Sequence, residues 1–307
     1  MNTVASEPRL SHVACLSPAG LHRMAYWEWG DPDDDRVLLC VHGLTRTGRD
    51  FDAVARRLSA HYRVVCPDVV GRGQSDWLAE PAYYAVPQYV ADMTTLIARL
   101  APRELHWFGT SMGGLIGMTL GGLPGATAPS RDAADGRLQP PITRMLLNDI
   151  GPVIDPAGMM RIASYASEPT VFASFDDAVA YVRRVAATFG VHSDAQWRAL
   201  AEHTMVERDG QWVKHYDPAL TGPLGNLPPG AAAAAEALLW RAFEGLRCPT
   251  LLVRGAQSDL LHPSTLADML ARNPLAQAHE IPGVGHAPTF LDPAQIDVAE
   301  VFFLARD

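Results

Sequence analysis

No run of basic residues, no long apolar span and no pair of cysteines at metal-binding spacing occurs in this 307-residue chain. Each absence removes a class of function. The formal net charge of -9 argues against a polyanion as partner, because nucleic-acid binders present a basic face. The most apolar long window, GAAAAAEALLW from Gly230, is broken by Glu236 and is too short for a bilayer. No membrane partner is therefore expected. The first residues, MNTVASEPRLSH, have neither a basic n-region nor an apolar h-region, which gives the expectation of a cytoplasmic protein without a secretory leader. Cys15, Cys40, Cys66 and Cys248 show no CxxC spacing, and Cys40 and Cys66 fall in strand-like runs, so free thiols are expected rather than disulfides or a zinc site. Metal ligands at recognisable spacing are also missing, and no cofactor is expected.

What is present is ordinary for a globular protein, 48% hydrophobic and 19% charged, with length enough to bury a full core. Near-continuous apolar runs alternate with amphipathic ones. SHVACLS and HRMAYWEWG read as a strand pair; RVLLCVHG, YRVVCPD, LHWFG, RMLLND, CPTLLVRG and AQAHEIPG read as further strands. Between them, FDAVARRLSA, PQYVADMTTLIARL, PSTLADMLARN and PAQIDVAEVFFLARD have helical spacing. Such alternation predicts an α/β fold with a mostly parallel central sheet flanked by helices. From Gly121 to Pro141 a stretch rich in Gly, Ala, Pro and Asp predicts a long exposed loop. From about Pro152 the pattern turns helical, with Phe172, Phe175, Val179, Val182 and Val185 as one stripe, and VERDGQWVKHYD carries an Asp-Gly turn suited to a small hairpin. The expected organisation is a core of residues 1–151 and 243–307 interrupted by a helical cap, 152–242, entering where it can roof a pocket.

The stretch HWFGTSMGGLIG explains where that pocket would lie. Its G-x-S-x-G pattern falls between a strand ending at Phe108 and a helix beginning near Leu115, so Ser111 would occupy a sharp turn where glycines are required. A serine hydroxyl needs a base. Of the 11 histidines, His286 in PGVGHAP follows the last strand and can reach the same sheet edge. The group that orients it is Asp259, in VRGAQSDLL past the strand TLLV, or alternatively Asp149 in LLNDIGP, one strand earlier; Asp259 is preferred. In VHGLTRTG, a His-Gly turn would aim the Leu44 N–H at the point faced by the Met112 N–H, which makes an oxyanion hole, while His42 braces the turn. Thr45, Arg46 and Tyr165 are candidate substrate-binding residues.

Taken in order, VHGL, CPDVVGRGQSD, GTSMGG, NDIGP, LLVRGAQSDLL and GVGHAP span nearly the whole chain and resemble the α/β-hydrolase fold superfamily, in its subgroup with an inserted helical cap. The resemblance implies a Ser-Asp-His triad at Ser111, Asp259 and His286, with Leu44 and Met112 at the oxyanion positions. It implies a metal-free serine hydrolase of carboxylic esters, acting on short or medium apolar acyl esters or hydroxyacid oligoesters as small-molecule substrates. Met159, Met160, Ile162, Tyr165, Phe172 and Phe175 would line an acyl pocket. The rival activities are a carbon-carbon bond hydrolase, whose relatives carry Asn where this chain has Thr110, and an enol-lactonase. A non-catalytic ligand receptor on the same scaffold is the reading from another class. Sequence assigns no oligomeric state.

Overall fold

A computed structural model of the chain describes residues 7–122, 142–225 and 230–305. The predicted Gly121–Pro141 loop lies, from residue 123 onward, outside the described residues. An eight-stranded sheet runs through the molecule, built from β1 (Arg9–Ser17), β2 (Gly20–Trp29), β3 (Arg36–Val41), β4 (Arg63–Pro67), β5 (Glu104–Thr110), β6 (Ile142–Asn148), β10 (Thr250–Gly255) and β11 (Ala276–Ile281). Its spatial order is β1-β2-β4-β3-β5-β6-β10-β11. Strand β2 pairs antiparallel with both neighbours, and every pairing from β4 to β11 is parallel.

The period of two in a strand explains why those inner runs are apolar throughout. On β3, Val37, Leu39 and Val41 enter one buried cluster, whereas Leu38 and Cys40 enter a second on the opposite face. Both faces are covered by helices, so neither set can be polar. Truncating one of these leucines to alanine would cost about 2–5 kcal/mol. Helix α2 (Val86–Leu100) turns Tyr89, Met93, Leu96, Ile97 and Leu100 onto the first cluster and ends at Ala101, whose φ of 46° closes it with a left-handed cap. Helix α1 (Asp52–Leu58) and helix α10 (Pro293–Leu304) cover the second face. Helix α3 (Met112–Gly121) follows β5 and is buried almost all round. All four cysteines are buried and free.

Between β6 and β10, which are neighbours in the sheet, the chain makes a long excursion. It contains α4 (Pro156–Ser167), α5 (Phe175–Val185), α6 (Asp194–Thr204), the single turn α7 (Gly222–Gly225) and α8 (Ala231–Gly245), with a three-stranded sheet of β7 (Val171–Phe172), β9 (Gln211–Lys214) and β8 (Met205–Arg208). The excursion is thus not purely helical. Phe172 sits on β7 opposite Trp212 rather than on the helical stripe, because Ser174 caps α5 and starts the helix after it. The expected hairpin is present as β8 and β9, with Asp209 at φ 52° and Gly210 at φ 75°, the paired left-handed residues of a tight two-residue turn.

Helix α8 departs from the sequence-based boundary at residue 242. It lies on α3, where a methyl added at Gly122 would come within 2.2 Å of the Ala242 carbonyl, and Phe243 is fully buried in the core cluster. The C-terminal part of α8, with Leu239, Trp240 and Ala242, therefore packs on the core, while residues 232–238 are exposed. Among the described residues, no helix is long and apolar enough to cross a membrane.

Candidate active site

Parallel strands deliver their C-terminal ends to one edge of the sheet, and the chemistry-bearing residues gather there. Ser111 stands between the last residue of β5 and the first of α3, at φ 50° and ψ -115°. The glycines around it answer to close approaches. A methyl on Gly109 would lie 2.4 Å from the Gly113 carbonyl, one on Gly113 would lie 1.9 Å from the Val41 carbonyl, and one on Gly114 would strike Ile150 at 2.4 Å. Only hydrogen fits at these three positions, so the turn stays tight and the serine projects from it. The Ser111 N–H donates to the Asn148 carbonyl at 2.9 Å, which ties the turn to the end of β6.

His286 reaches Ser111 from the loop after β11. Its Nε2 is 3.0 Å from Ser111 Oγ, and its Nδ1 is 2.8 Å from Asp149 Oδ2. Because a carboxylate only accepts, Nδ1 carries the ring proton and Nε2 is left bare to receive the Ser111 hydroxyl. Asp149 is fully buried, immediately after β6, and at φ 57°. Two further donors hold its carboxylate: the Gly255 N–H at 2.8 Å and the Ser258 hydroxyl at 2.6 Å. Three donors on one buried carboxylate fix its position and offset the cost of taking it out of water.

Asp259, the acid preferred from sequence, is elsewhere. Its two oxygens receive Nε and Nη2 of Arg161, at 2.6 and 2.8 Å, from helix α4. That guanidinium holds the Asp259 carboxyl below the usual carboxylate range. The side chain is 42% exposed, against 0% for Asp149. The reason for the difference is one residue of chain. In the turn after β10 it is Ser258 whose side chain points inward, donating to Asp149 while its oxygen accepts the Leu260 and Leu261 N–H groups at 3.2 and 3.1 Å. Asp259, next along, faces the excursion.

The loop after β3 brings the remaining parts. His42 is fully buried, and burial pushes its imidazole down to about 3. It is therefore neutral: Nδ1 donates to the Gly43 carbonyl at 2.7 Å, and Nε2 accepts the Val69 N–H at 2.9 Å. This braces the turn that carries Leu44, as its sequence suggested. A methyl on Gly43 would lie 3.6 Å from Ser111 Cβ, so the turn passes directly beside the serine. Met112 is the first residue of α3, where an N–H has no intrahelical acceptor and the helix dipole adds positive potential.

Three positioning residues escaped sequence reading. Arg72 is fully buried; its Nε donates to the Leu44 carbonyl at 2.9 Å, Nη1 to the Val70 carbonyl at 2.7 Å and the Tyr89 hydroxyl at 3.1 Å, and Nη2 to Met112 Sδ at 3.4 Å. One guanidinium thus holds the residues at both oxyanion positions. Its placement between two positive-φ glycines, Gly71 and Gly73, is the signal that could have found it. Ser258 and Arg161 gave none, because each acts through a partner distant in sequence.

Thr45 and Arg46 line a cavity with Tyr165, Tyr181, Lys214 and Tyr216 of the excursion. Arg46 is engaged with Asp50 through two hydrogen bonds of 2.7 Å. Of the six apolar residues expected to form an acyl pocket, Tyr165 lines this cavity. Ile162 is packed in the core, Met160 is 67% exposed, and Phe172 and Phe175 pack against Tyr181 and Trp212. Their helical stripe is chiefly packing surface.

Comparison with known proteins agrees with the architecture. Residues 38–298 match the Alpha/beta hydrolase family. A 3-hydroxybutyrate-oligomer hydrolase of Cupriavidus necator is 52% identical over 304 residues, 98% of this chain and 99% of the relative. Among solved structures, a putative hydrolase from Rickettsia typhi superimposes with a TM-score of 0.83 at 27% identity, covering 98% of this chain and all of that one. An alpha/beta hydrolase from Novosphingobium aromaticivorans gives 0.79 at 30% identity, over 97% of this chain and 98% of its own.

Proposed function

The chain belongs to the alpha/beta hydrolase family, and from that premise we propose a serine esterase in which Ser111, His286 and Asp149 form the catalytic triad. The observation that carries the reading is the single imidazole hydrogen-bonded to both Ser111 and Asp149. His286 Nε2 takes the hydroxyl proton as Ser111 Oγ attacks the ester carbonyl. Asp149 keeps the Nδ1 proton in place and offsets the charge of the imidazolium. The N–H groups of Leu44 and Met112 receive the tetrahedral oxyanion. His286 then gives its proton to the leaving alcohol, and water, activated by the same imidazole, releases the acyl group from Ser111. Each step is performed by side chains and backbone of this chain.

The substrates are oligoesters of short hydroxyacids, 3-hydroxybutyrate oligomers in the first place. The 52% identity to a hydrolase of that name along nearly the whole of both chains supports this assignment. The cavity that Thr45 and Arg46, next to Leu44 in the chain, share with the excursion has aromatic and aliphatic walls with a few polar groups, which suit a chain of small ester units. Residues 1–151 and 243–307 would form the catalytic core and the excursion its cap, except that the C-terminal part of α8 packs on the core.

The test is direct. Wild type should release 3-hydroxybutyrate from its dimer and trimer and acquire one phosphonyl group, on the peptide containing Ser111, when treated with a fluorophosphonate. Ser111→Ala should do neither. Label on another residue with oligomer turnover intact would overturn the triad, and turnover of p-nitrophenyl esters without any of oligomers would overturn the substrate assignment.

A further inference from the structure

Lys214 is the only lysine among 307 residues, and it lines the cavity shared by the oxyanion loop and the excursion. Its surroundings are unusual for an ammonium group. Nζ donates to the carbonyls of Tyr165 and Glu168, at 2.6 and 2.5 Å, and lies 5.3 and 5.7 Å from the ring centroids of Tyr181 and Tyr216. An ammonium has three N–H donors, so one remains for another acceptor. Two carbonyl dipoles and two aromatic faces soften the loss of water, yet among the described residues no carboxylate comes within ion-pair distance of it. The neighbouring cations are already neutralised. Arg46 holds Asp50 and Arg161 holds Asp259, each through two hydrogen bonds, and Arg184 lies 3.9 Å from the Glu168 carboxylate. Lys214 is thus the cation on this cavity that, among the described residues, no carboxylate contacts directly.

We propose that Lys214 binds the free carboxylate end of a hydroxyacid oligoester while Ser111 attacks an ester bond further along, which makes the enzyme selective for oligomers with an ionised terminus. This rests on the oligoester reading above. The chemistry fits at both ends: every hydroxyacid oligomer ends in a carboxylate, whereas simple alkyl and aryl esters have none. A charged hydrogen bond in a partly dehydrated site discriminates strongly against a ligand that leaves the ammonium unanswered. Burial pushes the Lys214 ammonium down to about 8, so it is charged at neutral pH and loses its proton within a range that can be measured. The Glu168 carboxylate acts the other way, favouring the ammonium without touching it, and the remaining groups facing Lys214 do not compete there. Tyr165, Tyr181 and Tyr216 have their hydroxyls pushed upward by burial, and the nearby arginines stay charged. The imidazole of the adjacent His215 is pushed down by burial.

The experiment compares 3-hydroxybutyrate trimer with its methyl ester, in wild type and in Lys214→Met, over pH 6.5 to 9.5. Wild type should prefer the free acid by about tenfold in kcat/KM, through KM, and Lys214→Met should bring the ratio close to one. In wild type the ratio should also fall as pH rises through about 8, a readout that needs no variant and in which effects common to both substrates cancel. A ratio near one in wild type, or one kept in Lys214→Met, would overturn the role of Lys214 and leave the oligoesterase standing. Failure of wild type to hydrolyse either trimer, with p-nitrophenyl esters still cleaved, would remove the oligoester reading itself and this inference with it.

Discussion

The ends of β6 and β10 are adjacent in one sheet and each is followed by an aspartate, yet the two carboxylates have opposite situations. Asp149 is sealed in, held by the Gly255 N–H, Ser258 and His286. Asp259 is 42% exposed and clasped by Arg161 of α4. The difference teaches that position at a strand end places a side chain near the catalytic edge without deciding which way it points. The local turn decides that. Here a positive φ aims Asp149 inward, and the turn after β10 spends its inward position on Ser258.

Each side of this comparison can be broken separately, beginning with the serine that both would serve. Ser111→Ala should lower turnover by roughly 10⁴ to 10⁶ without changing the circular dichroism spectrum, as triad knockouts do; full activity would end the serine mechanism. Asp149→Asn preserves shape but presents an amide to Nδ1, which stabilises the wrong tautomer, and should lower kcat by about 10⁴. Asp259→Asn, assayed in parallel, should change kcat by less than about tenfold, since only the contact with Arg161 is altered. If the two asparagine variants exchanged these outcomes, the acid assignment would be reversed. Ser258→Ala lies between them. Removing a hydrogen bond to a buried carboxylate costs about 1.5–3 kcal/mol, so a loss of about ten- to a hundredfold in kcat is expected, with KM little changed.

The smallest effect concerns stability and pH. Arg161 lowers the Asp259 carboxyl in the folded protein, so the pair stabilises the fold above the ordinary carboxylate value and loses that contribution as pH falls through the lowered one. Because the pair is partly exposed, its worth is small. Thermal melts of wild type and Asp259→Asn should differ by a few degrees at most at pH 7 and converge as the pH falls below the ordinary carboxylate range. A gap that widens in acid would contradict the pairing.

The legibility of the two strand ends follows the range of the interactions involved. Ser111 could be found because its signature is local: Gly109, Gly113 and Gly114 stand within three residues of it between a strand and a helix, although the contacts that exclude a side chain at Gly113 and Gly114 come from Val41 and Ile150, distant in sequence. His286 could be found because a glycine-rich loop after the last strand returns to that edge. Arg72 joins the oxyanion loop to Met112, forty residues away, and left no periodic or compositional trace beyond its flanking glycines. The packing of the end of α8 was illegible for a similar reason. The stretch from Leu239 to Phe243 reads alike whether it roofs a pocket or lies on α3, and only its burial and the close approach of Ala242 to Gly122 distinguish them.

By itself the sequence determined the α/β class, the mostly parallel sheet, the elbow at Ser111 and the histidine that serves it, because strand and helix periods act over a few residues and the glycines that mark the elbow stand beside the serine in the chain. The tertiary structure alone decided which carboxylate meets His286, where the end of α8 packs, and which cation on the cavity has no carboxylate in direct contact among the described residues. Those outcomes depend on the direction of side chains in turns and on contacts between elements up to 137 residues apart, where one residue of offset exchanges a buried partner for an exposed one.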